Sequence, residues 1–168
     1  MDGVRNMAFT VFISHSTKNL QVVYDLAEHL KLNGIVAHVS EWFEQPGQNL
    51  PQKVKTLLES SDCVLTLLTI EGNRSRWVNQ EIGYAEGKGK IIIPIVEVGV
   101  KVTGFLEGRE YISFKRNEPD SAVTKAMQFL KNMASKKEQD TLIGGAILAG
   151  LILLFGLLAL GALKSGKS

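Results

Sequence analysis

The sequence predicts a doubly wound α/β domain followed by one apolar span, and three observations carry that reading. Short apolar runs alternate with helical periodicity over residues 8–133, the run Ile91–Val96 is apolar throughout, and the 22 residues Leu142–Leu163 carry no charged side chain. A strand apolar on both faces is buried on both, as in a parallel sheet covered by helices. A helix as long as the apolar run rises about 33 Å, enough for a bilayer core of about 30 Å.

The elements follow in order along the chain. Ala8–Ile13 is the first strand; Leu20, Val23, Ala27 and Leu30 recur at helical spacing, and Gly34 stops that helix. Ile35–Val39 is the second strand, and a polar loop with Pro46 and Gly47 leads to a helix from Pro51 with Val54, Leu57 and Leu58 inward. Cys63–Thr69 is the third strand, Val78, Ile82 and Ala85 mark the next helix, and Ile91–Val96 and Tyr111–Phe114 complete the strands. Val123, Ala126, Met127, Leu130 and Met133 give a last helix leading to the span. The expected organisation is a domain over 1–134, a charged linker over 135–141, a membrane helix over 142–163 and a short tail over 164–168.

Charge locates the two pieces. All 17 acidic residues and all but two of the 19 basic ones fall before the span, so the net +2 belongs to Lys164 and Lys167. A neutral domain lacks the basic excess of a nucleic-acid binder, so no nucleic-acid partner is expected. The single cysteine, Cys63, forms no internal disulfide, and no Cys/His set has metal-ligand spacing. Met1–Ile13 lacks a signal-peptide pattern, which predicts a domain in the cytoplasm on a single-pass, tail-anchored chain whose partner is the lipid bilayer. Gly145/Ala149 and Ala146/Gly150 are small residues four apart, a spacing that permits close helix approach in lipid.

In doubly wound folds ligands bind beyond the carboxyl ends of the strands. That places the loops Ser14–Asn19, Ser40–Leu50 and Thr69–Arg76 together as candidates. Glu81 follows the third loop by about one helical turn, with Trp77 four residues earlier on the same face. A carboxylate there can hold ribose hydroxyls or offset an oxocarbenium ion; the spacing by itself is more often that of a solvated helix residue beside a core aromatic. Ser14, His15 and Ser16 offer hydroxyls and backbone N–H groups to a phosphate, or simply cap a helix. Arg74 and Arg76 suit phosphate or solvent, and Trp42 and Phe43 suit stacking, a partner surface or inward packing. Cys63, at a strand start, reads as buried rather than reactive. The patterns of P-loops, dinucleotide fingerprints, zincins and nucleophile elbows are missing.

Several segments together resemble one family. FISHSTKN, QPGQNLPQKV, SSDCVLTLLT and SRWVNQEIGYA followed by GKIIIPIVE are similar to a Toll/interleukin-1 receptor (TIR) domain of the prokaryotic kind. The resemblance spans Ala8–Glu97, and GFLEGREYISF looks like the family's continuation. It implies a five-stranded parallel sheet of flavodoxin-like order. It also implies that Trp77-Val78-Asn79-Gln80-Glu81 is the Trp-x-x-x-Glu motif of enzymes that release nicotinamide from NAD, with Glu81 catalytic and Trp77 walling the pocket. By the same resemblance Ser14, His15 and Ser16 join the nucleotide pocket, and Trp42–Leu50, with Trp42 and Phe43, meets a neighbouring TIR domain to share the site. Asn19 departs from the aspartate that many relatives carry.

The function this implies is a membrane-tethered NAD glycohydrolase or cyclase, needing no metal or cofactor beyond NAD as substrate. Self-association would activate it in prokaryotic immune or cell-death signalling. A non-enzymatic TIR–TIR scaffold at the membrane is the alternative, and a nucleoside deoxyribosyltransferase-like enzyme a third.

Overall fold

The computed structural model describes residues 8–16, 20–40, 51–72 and 75–165, the side chains of 20 and 145–165 excepted. The five strands are β1 (Thr10–Ser14), β2 (Val36–Val39), β3 (Cys63–Leu68), β4 (Ile91–Glu97) and β5 (Ile112–Phe114). They pair in parallel in the order β2-β1-β3-β4-β5. This is the expected five-stranded doubly wound sheet. The chain leaves β1 toward β2 on one side and returns to β3 on the other, so the order reverses between β1 and β3 and a crevice opens at their carboxyl ends.

Residue burial explains the order. All six residues of β3, and all of β4 after Ile91, are buried, as continuous apolar strands require in the middle of a covered sheet. Edge strands β2 and β5 are short and only partly buried. Pro94 is accommodated inside β4 because pairing with β5 begins only at Ile95, leaving β4 an edge at that position.

Helices α1 (Leu20–Leu32), α2 (Gln52–Ser60), α3 (Arg76–Gly87) and α4 (Asp120–Ser165) follow the predicted periodicities. One face of the sheet, with Phe12, Val64, Leu68, Ile92 and Val96, packs on Val54 and Leu58 of α2 and Val78, Ile82 and Ala85 of α3. Each of these side chains larger than Ala85 contributes roughly 1.5–3 kcal/mol on leaving water. The alternate residues, including Val11, Ile13, Leu65 and Ile95, are buried on the opposite face. That leaves the buried stripes of α1 (Val23, Leu26, Leu30) and of the start of α4 (Val123, Ala126, Leu130) to cover them. A short 3₁₀ turn at Gly104–Leu106, not foreseen from the sequence, inserts Leu106 into the first core and lays Phe105 over Gly83 of α3.

The chain divides into two compact units at Leu130/Lys131. Residues 135–141, expected as a linker, are helical and belong to α4. The expected span, Leu142–Leu163, is not supported: among the described residues no helix is long and apolar enough to cross a membrane. The side chains of 145–163 lie outside those residues.

Candidate active site

A row of hydroxyls crosses β1, β2 and β3 toward their carboxyl ends. Ser14 closes β1 in register with Thr66 of β3, and Ser40, just past β2, donates its backbone N–H to the Ile13 carbonyl at 3.1 Å. The register therefore sets Ser40, Ser14 and Thr66 side by side, although they lie far apart in the sequence.

Glu81 comes to this row from α3. Ser75 caps the helix, its hydroxyl accepting from the Val78 N–H, and Val78, Ile82 and Ala85 pack inward, so Glu81 on the same side also points at the sheet. Its carboxylate is fully buried, with Ser14 Oγ donating to Oε2 and Ser40 Oγ donating to Oε1, each at 2.5 Å. A carboxylate accepts on both oxygens, and hydroxyl donors on each offset its loss of water. Glu81 is thus neither a solvated helix residue nor an isolated buried charge. Trp77, one turn earlier, is half-buried, so it is not a core aromatic.

Two other polar atoms at this end of the sheet are distinctive. His15 is buried, and its Nδ1 lies 2.9 Å from the Ser16 carbonyl oxygen, which assigns the proton to Nδ1. Its Nε2 is then an acceptor, and it has no partner among the described residues. The same holds for Thr66 Oγ1, beside Ser14. Buried polar groups are nearly always bonded, so each orphan marks a place where a ligand group or water would be favoured.

Of the predicted site residues, Ser14, His15, Ser16, Trp77 and Glu81 gather at the switch point, and all but Trp77 are buried. Trp42, Phe43, Arg74 and the loop 42–50 lie outside the described residues. Arg76 opens α3 and is exposed. Ser40 stood in the sequence only as the first residue of a candidate loop and not as a site residue; a serine ending each of two neighbouring strands was its signal. Cys63 is buried, and burial followed by the charge of Asp62 pushes its thiol up to about 12, so it stays protonated and inert. Among the described residues no group of His, Cys, Asp and Glu is arranged to hold a metal ion. A cavity of about 700 Å³ between α1 and the start of β2 lies at the other end of the sheet from Glu81.

A five-stranded parallel sheet with a buried, hydroxyl-bound carboxylate at its switch point defines the class: a doubly wound α/β domain, a fold in which ligands bind at the strands' carboxyl ends. The TIR domain model matches residues 11–128, and the chain belongs to that family. The TIR domain of the Toll-related receptor TRR-2 from Hydra magnipapillata matches with a TM-score of 0.57 and 17% identity, covering 72% of this chain and 97% of that one. The CMP N-glycosidase BcmB of Clostridium botulinum matches with a TM-score of 0.56 and 20% identity, covering 71% of this chain and 98% of that one. At these identities the likeness is one of fold. No curated protein matches the chain.

Proposed function

We propose that this TIR domain cleaves the N-glycosidic bond between nicotinamide and ribose in NAD, with Glu81 as the catalytic carboxylate. The observation that carries the reading is Glu81 itself, buried within the Trp77-to-Glu81 motif and bonded through both oxygens to Ser14 and Ser40. An ionised carboxylate has about four acceptor sites, so Glu81 can accept a ribose hydroxyl while Ser14 and Ser40 continue to hold it. Nicotinamide then leaves with the bonding electron pair, and the Glu81 charge offsets the positive charge growing at C1′. Water adds to C1′ and gives up a proton, yielding ADP-ribose; an internal nucleophile would yield a cyclic product instead. His15 Nε2 is an acceptor suited to an amide or hydroxyl of the same substrate.

Two further parts of the proposal concern assembly. The run Leu142–Leu163 supports a membrane tether, and its first residues, Leu142 and Ile143, are 64% and 59% exposed, apolar surface that water disfavours. Self-association through Trp42–Leu50, in prokaryotic immune or cell-death signalling, rests on the motif-level resemblance.

The test is nicotinamide release from NAD by the full chain reconstituted on liposomes, beside Glu81→Gln. Wild type is expected to release nicotinamide, and Glu81→Gln to lose about a thousandfold or more while remaining folded. Equal release by the two proteins removes Glu81 from the chemistry. No release by wild type leaves a scaffold, and release of cytosine from CMP in the same assay reassigns the substrate.

A further inference from the structure

The turn that leads into α3 is held by a guanidinium from the other side of the sheet's carboxyl end. Arg116 follows β5, and its Nε and Nη2 donate to Glu97 Oε1 and Oε2 at 2.7 and 2.8 Å. Its Nη1 donates to Glu71 Oε1 at 2.7 Å and its Nη2 also bonds Glu71 Oε2. Glu97, the last residue of β4, is 4% exposed, and its Oε2 accepts the Ile70 backbone N–H at 3.0 Å. Ile70 and Glu71 both belong to the β3–α3 turn.

That turn also touches the first loop. A Cβ on Gly72 would lie 2.2 Å from Ser16 Oγ and 2.9 Å from Ser16 Cβ, so only glycine fits there. Gly72 then accepts from the Ser75 N–H at 3.0 Å, and Ser75 caps the helix that carries Trp77 and Glu81.

We propose that Arg116 and Glu97 are positioning residues: they fix the turn 69–72, and through it the entry of α3 and the approach of Ser16, so that Glu81 meets Ser14 and Ser40. The inference rests on Glu81 being the catalytic carboxylate. An ordinary surface ion pair contributes little and tolerates lysine for arginine. Here one planar fork serves two carboxylates, a geometry that a lysine ammonium cannot reproduce.

The experiment uses the full chain with Arg116→Met, Arg116→Lys and Glu71→Gln, measuring amide hydrogen exchange and nicotinamide-release kinetics. In both Arg116 variants exchange at Ile70 and Gly72 is expected to rise about tenfold or more while Val11–Ile13 of β1 keep their protection. On NAD, kcat is expected to fall about tenfold or more with KM moving less than about threefold, because a misplaced carboxylate weakens the transition state more than the bound substrate. Glu71→Gln leaves Glu97 paired, so it folds even if the Arg116 variants do not, and its exchange rises by a smaller factor confined to the turn. Unchanged exchange at Ile70 and Gly72, exchange that rises equally in β1, or full kcat with lysine each overturns the proposal. If wild type releases no nicotinamide, the catalytic reading fails and the exchange data alone decide the clamp.

Discussion

A buried carboxylate costs several kcal/mol unless its oxygens are bonded, and at Glu81 two serines from separate strands supply those bonds. Hydrogen bonds to charged groups contribute about 1.5–3 kcal/mol. Ser40→Ala is therefore expected to lower stability by an amount in that range, read as a lower Tm, and to slow NAD cleavage roughly ten- to a hundredfold. Ser40→Thr, which keeps the hydroxyl, should recover most of both; if alanine and threonine behave alike, the hydroxyl is not what Glu81 needs. At this scale the sequence disclosed Glu81, Trp77 and Ser14 to Ser16, because a motif or a strand-to-helix junction marks them. It disclosed Ser40 only as the start of a candidate loop, and Arg116 not at all. Ser40 matters only through the register that sets it beside Ser14, and Arg116 only through contacts with carboxylates 19 and 45 residues away.

The elements were legible because each is short and strongly periodic: the apolar runs of β3 and β4 and the stripes of α1, α2 and α3 lie within a residue or two of the expected limits. The connection between β3 and α3 was legible only as a loop, since its conformation is imposed by neighbours rather than by its own residues. Gly72 shows this. Gly72→Ala is expected to destabilise by about 1–3 kcal/mol through overpacking. Ser16→Gly removes two of the three close atoms, so the double variant should lose less than the sum of the singles in a melting experiment. Additive losses would mean that the two residues do not meet. The clamp on this turn also titrates. The Arg116 hydrogen bonds hold the Glu97 carboxyl below its ordinary 4.5, aided by the Ile70 N–H and opposed by burial and by Glu71. A depressed carboxyl contributes stability that is fully present above its unfolded value and is lost as pH falls through the folded one. The Tm difference between wild type and Arg116→Met should thus be constant from about pH 7 to pH 5 and shrink below about pH 4.5. A difference that grows on acidification contradicts the pairing.

For the whole molecule, charge and apolar content are divided between a neutral domain and an apolar C-terminal run flanked by Lys164 and Lys167. Neutrality does not bar an anionic substrate, because donors at the strand ends act locally rather than through net charge. The division bears instead on assembly. If Leu142–Leu163 tethers the chain, confinement to a bilayer raises its effective concentration without new contacts. If the site is completed by a neighbouring copy, nicotinamide release per molecule should rise with surface density on liposomes and level off once most copies are paired. Diluting the same protein into more lipid should reverse the gain, with Glu81→Gln silent throughout. Release per molecule that is independent of density would show that one copy holds a complete site, and a chain that floats free of the liposomes would show that Leu142–Leu163 is no tether. Mixing Glu81→Gln with a Pro46 or Gly47 variant separates the roles further: if one copy supplies the carboxylate and its neighbour the loop, two inactive proteins should restore activity together on the same surface, and fail to do so if both functions belong to a single chain.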